Sequence, residues 1–89
     1  MGRDPRVDIA RTIESLVDAR ADGATVCPSE VARALAGDAG PWRALMPAIR
    51  AVASELALQG RLTVTRGGEE VDAESRGGPI RFGACRERR

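Results

Sequence analysis

The apolar residues of this chain keep one spacing for the first two thirds of its length and another for the rest. Up to residue 59 they recur every three or four positions, the period of one helix face. From residue 61 they alternate with polar residues, the period of a strand half-buried against a core. Helical segments first and a short β segment last admit few small folds, and 89 residues leave room for one domain. A chain of this size buries only about 60–65% of its unfolded surface, so every large apolar residue counts.

The first helix is expected from Asp4, an N-cap, with Pro5 at the first helical position, where its missing N–H costs nothing. Ile9, Ile13, Leu16 and Val17 form its inner face, and Gly23 is expected to stop it. Thr25-Val26 reads as a short extended step. A second helix opens at Cys27-Pro28-Ser29-Glu30, where Glu30 can reach back to the N-cap N–H, with Val31 and Leu35 inward. Gly37-Asp38-Ala39-Gly40-Pro41 is a loop by its turn residues. The third helix carries Trp42, Leu45, Ile49, Val52 and Leu56 on one stripe and ends before Gly60. Pro47 interrupts that stripe, which predicts either a kink or a short turn over 42–46 followed by a helix starting near Pro47.

Leu62 and Val64 alternate with polar neighbours in a strand that Gly67-Gly68 breaks. An acidic loop holding Glu69, Glu70, Asp72 and Glu74 follows, then a second strand from Pro79 through Phe82 with Ile80 and Phe82 buried. A four-helix alternative would need Leu62-Thr63-Val64-Thr65 helical, which its β-branched residues disfavour. Three helices and a two-stranded hairpin give a mainly α fold, a winged helix-turn-helix. The domain is expected over residues 5–83, with 84–89 a charged, frayed tail.

Three runs carry a resemblance: Thr25-Val26-Cys27-Pro28-Ser29-Glu30-Val31-Ala32-Arg33, Trp42-Arg43-Ala44-Leu45-Met46 and Gly78-Pro79-Ile80-Arg81. In these blocks the chain resembles a family of small bacterial proteins known as a domain of unknown function, over roughly residues 8 to 82. The resemblance implies a winged-helix fold and supplies no activity, cofactor or site residue.

Composition narrows the function. Without His or Tyr, no Ser has a histidine to activate it, and Glu69-Glu70 in a Gly-flanked loop is a poor acid/base pair; an enzyme is not expected. Gly67-Gly68 and Gly77-Gly78 lack the strand-and-helix setting of a phosphate loop, and no cofactor is expected. Cys27 and Cys85 have no histidine to complete a zinc site, so no metal is expected either. Apolar stretches a few residues long fall well short of the roughly 20 a membrane span needs. The opening Met1-Gly2-Arg3-Asp4-Pro5 does not read as a signal peptide, which makes a cytoplasmic location the expectation.

Fourteen basic residues, all Arg, face thirteen acidic ones for a net charge of +1, so the chain lacks the strong positive charge of a nonspecific nucleic-acid binder. The arginine bias, beside fifteen Ala and no Lys or Asn, is first of all the mark of a GC-rich genome. Its distribution still carries a signal. Between residues 43 and 66 four Arg stand against Glu55 alone, a balance of +3. The outward face of the third helix would present Arg43, Pro47, Arg50, Ala51 and Ser54, with both guanidinium groups toward a major groove. Arg66 and Arg76, at the ends of the acidic loop, would meet flanking phosphates. The DNA-contacting set is therefore Arg43, Arg50, Ser54, Arg66 and Arg76, in a double-stranded DNA-binding regulatory module. The plainer alternative is that these arginines only solvate an Ala-rich helix.

Four acids at 69–74 would repel phosphate, which keeps a protein-protein interaction module as the rival. A homodimer would suit a duplex reader, but no heptad or surplus apolar stripe marks an interface. Cys27 at a helix N-terminus is a candidate redox thiol, its plainer role being a small cap residue. Trp42 reads as a core anchor rather than a stacking platform, and the pair Trp42 and Phe82 is too little for single-strand binding.

Overall fold

The computed structural model describes residues 4–20, 24–37 and 39–84. Gly23, Asp38, Cys85 and the rest of the charged tail lie outside the described residues. Helix α1 spans Pro5–Asp18, and the Asp4 carboxylate accepts the Arg6 backbone N–H at 2.9 Å, so the cap works as its residue types require. The helix ends at Asp18, short of Gly23. Val17 is its last buried residue, and the Arg20 N–H bonds to the Val17 carbonyl three residues back, tightening the last turn. Arg20 then turns to pair with Glu30 of the next helix.

Helix α2 spans Pro28–Ala36. The Glu30 carboxylate accepts the backbone N–H of Cys27 at 2.8 Å, satisfying a donor at the helix entrance. A 3₁₀ turn, Trp42–Leu45, leads directly into α3, Met46–Leu58. Of the two arrangements that Pro47 allows, the chain takes the second. Pro47 sits in the first turn of α3, where it forfeits no hydrogen bond, and no kink is needed.

Strand β1, Thr63–Arg66, lies between β2, Glu69–Glu70, and β3, Arg81–Gly83, in an antiparallel sheet of order β2-β1-β3. This corrects the expected two-stranded hairpin. Glu69-Glu70 is a strand rather than part of a loop, with Thr65 opposite Glu70 and Arg66 opposite Glu69. Gly67 and Gly68 take φ of +59° and +88°, the left-handed pair that a two-residue type I′ hairpin turn needs. The last strand begins at Arg81, because Pro79 has no N–H to give the ladder. Val26 and Phe82 exchange both backbone hydrogen bonds at 2.8 Å, tying the α1–α2 connection to the sheet.

The core sits where the inner faces of the three helices meet the sheet. Ile13, Val26, Val31, Ile49 and Phe82 are fully buried, flanked by Ile9, Val17, Val52, Leu56, Leu62 and Val64. Trp42 and Leu45 are only partly buried and pack at its margin, so Trp42 is an edge residue rather than a deep anchor. Ala73, from the segment expected to be a solvated loop, is 1% exposed and pins that segment to the core. Arg6–Glu55 and Arg61–Glu14 link α1 to α3 and to the segment after it, and each involves an exposed side chain that water and salt screen.

Candidate functional site

The exposed side of α3 and the long connection from β2 to β3 enclose an open groove of about 450 Å³. Arg50 of α3 forms one wall, Arg66 and Arg76 the other, and Ala73 and Ile80 contribute apolar surface below. Glu74 is the one acid among its described lining residues. Three of the five arginines and hydroxyls expected at a DNA interface are thus brought together. Among the described residues, neither Arg50 nor Arg76 has a carboxylate partner.

Local hydrogen bonds shape the connection. Asp72 begins a tight turn: its carboxylate accepts the Glu74 N–H at 2.9 Å, and its carbonyl accepts the Ser75 N–H at 3.0 Å and the Ser75 hydroxyl at 2.6 Å. The Ser54 hydroxyl donates to the same Asp72 carboxylate at 3.3 Å, fastening the turn to α3. Ser54 therefore braces the wing instead of lining the groove.

Arg66 is also engaged. Its Nε donates to the Gly78 carbonyl at 2.9 Å, and its terminal nitrogens donate to the Ser75 hydroxyl and carbonyl at 3.1 Å each. A planar guanidinium with five fixed donors is the side chain suited to such a fork.

Arg43 stands apart from this groove. Its guanidinium carbon lies 4.5 Å from the centre of the Trp42 ring, and that of Arg33 lies at the same distance from the same ring. Two cations on one indole are each held by the ring's quadrupole. Trp42 therefore joins α2 to the 3₁₀ turn through Arg33 while steadying Arg43 at the surface.

At the entrance of α2, the Cys27 thiol is half-buried with its sulfur 3.1 Å from the Ser29 hydroxyl. The Glu30 carboxyl is held below its ordinary value, first by the Cys27 backbone N–H and further by Arg20 and Arg81, against the opposing effect of burial. Exposed Glu69 and Glu70 stand on the outer strand of the sheet. Among the described residues no three His, Cys, Asp or Glu cluster as metal ligands, and no helix is long and apolar enough to cross a membrane.

The sequence reading missed Asp72, Ser75 and Gly77 as the residues that build the groove's wall. An Asp with a Ser three positions on is a legible turn signal. The clasp by Arg66, nine to twelve residues away along the chain, leaves no local signature.

Three helices followed by a small antiparallel sheet, with the 3₁₀ turn Trp42–Leu45 leading into α3 and the sheet flanking it, are consistent with a winged-helix-like fold. The chain belongs to the family described as protein of unknown function (DUF3253), which it matches over residues 6–85. No curated protein matches the sequence significantly.

Proposed function

We propose that this domain is a regulatory module that binds double-stranded DNA, with α3 toward the major groove and the β2–β3 connection over the adjacent phosphates. The observation that supports this most is the pairing of Arg50 from the helix with Arg76 from the wing across one groove, both without a carboxylate partner among the described residues. Arg43, exposed on the turn before α3, extends the positive surface along the helix. Arg66 and Ser54 support the wing in this reading and do not count as phosphate ligands. The role is binding rather than catalysis, and it places the protein in the cytoplasm with the chromosome.

The acids that weighed against DNA have specific positions. Asp72 is turned onto Ser54, and Glu69 and Glu70 lie on the outer strand, so among the described residues only Glu74 is an acid lining the groove. Those exposed glutamates are what would favour a protein partner instead.

Fluorescence anisotropy with mixed genomic duplexes at about 50 and 200 mM salt tests the proposal. Three phosphate contacts, Arg43, Arg50 and Arg76, weaken binding about fortyfold between those salts. Arg50→Ala with Arg76→Ala leaves one contact and a change of about three- to fourfold. A folded protein that binds no duplex at tens of micromolar would refute DNA binding. Capture of a partner that is lost on Glu69→Lys with Glu70→Lys would establish the rival.

A further inference from the structure

We propose that Arg66 is a positioning residue: with Gly77 it forms a clasp that fixes the Ser75–Gly78 segment and so holds Arg76 at the groove opposite Arg50. The inference rests on the DNA-binding reading for its consequence, but the clasp itself is testable in the free protein.

The clasp has two halves. Arg66 gives three hydrogen bonds to Ser75 and Gly78, one on each side of Arg76 and Gly77. Gly77 lies close against that guanidinium. A Cβ built on Gly77 would fall 2.8 Å from the Arg66 Cζ and 3.0 Å from two of its nitrogens, closer than a real methyl can approach. Gly77 also takes a φ of +142°, a conformation that side chains with a Cβ rarely adopt. The guanidinium therefore fills the space that any other residue at 77 would claim. Arg76, between the two anchored residues, has its backbone fixed by both.

The fork also separates this role from that of a phosphate ligand. A guanidinium already donating three bonds inside the wing has less to offer an external anion than Arg50 or Arg76, and a lysine could keep its charge without reproducing the fork. Charge and geometry can thus be tested apart.

Gly77→Ala, which changes no charge, is compared with Arg66→Lys, Arg76→Ala and the Gly77→Ala/Arg76→Ala double variant. Unchanged far-ultraviolet circular dichroism confirms that each is folded. In the free protein, NMR of the wild type should show the Arg66 Nε–H exchanging with water more slowly than that of Arg50. Gly77→Ala and Arg66→Lys should both shift the amides of residues 75–78 and abolish that difference. With duplex, both should lower the salt-dependent weakening from about fortyfold to about twelvefold, the value for loss of one contact, as Arg76→Ala does. The double variant should weaken no further, because the clasp acts through Arg76.

An Arg66 Nε–H exchanging as fast as that of Arg50, or amides 75–78 unmoved by Gly77→Ala, overturns the clasp. A full fortyfold effect retained in Arg66→Lys and Gly77→Ala overturns its role in placing Arg76. If the folded wild type binds no duplex, the DNA reading fails, and the amide shifts alone decide the clasp.

Discussion

Phe82 joins the wing to the helical core, and its replacement by alanine tests the packing described above. The side chain is fully buried, and its backbone pairs on one side with Val26 and on the other with Val64. Alanine keeps both hydrogen bonds to Val26, so the loss comes from the ring alone. Emptying a buried Phe site costs about 3–5 kcal/mol through lost transfer energy and the cavity left behind. A domain of this length has about 4–13 kcal/mol of total stability, so the variant gives up a large part of it. At about 4–8 °C per kcal/mol, the melting temperature should fall by at least about 12 °C. Thermal melts followed by circular dichroism and by the fluorescence of Trp42, the sole tryptophan, provide the measurement. Leu58→Ala is the control: Leu58 is a large apolar residue of α3 but 86% exposed, and its loss should stay within about 0.5 kcal/mol. A Phe82→Ala melting point within about 5 °C of wild type would refute the packing argument.

Two further outcomes follow from local geometry. Because the folded-state pKa of Glu30 is depressed from 4.5, its carboxylate contributes stability above that value, and the contribution disappears as pH falls through the folded pKa. Glu30→Gln should therefore be less stable than wild type at pH 7, with the gap closing in urea melts as pH falls below 4.5; a gap independent of pH would contradict the assignment. Gly68→Ala forces a methyl into the left-handed turn and should cost about 1–2 kcal/mol, whereas Gly67→Asn should be nearly neutral. Equal urea midpoints for wild type and Gly68→Ala would argue against that turn.

The positions of the helices were legible because each boundary is written in adjacent residues. Asp4-Pro5 and Cys27-Pro28 with Glu30 act through the first turn of their own helices, and Pro47 can stand only where no backbone donor is required. Ile9, Ile13, Ile49 and Val52 reveal their buried faces by spacing alone. The early end of α1 was less legible, since Gly23 is a stop signal but Val17 is the last residue with anything to bury.

The groove is a different case. That Arg50 and Arg76 line one space depends on how α3 packs against the sheet, and no spacing in the chain encodes it. Glu69-Glu70 looked like a solvated pair because strand propensity is weak in two acidic residues; pairing with Thr65-Arg66 across Gly67-Gly68 overrides it. Arg66 looked like a free cation because its partners, Ser75 and Gly78, are brought to it by the return of the chain toward β3. The three helices, β1 and the core faces were legible from local residues, because capping and periodicity act within a few positions. Which arginines hold the wing together and which face outward is settled by packing, because it brings together hydrogen-bond partners nine to twelve residues apart.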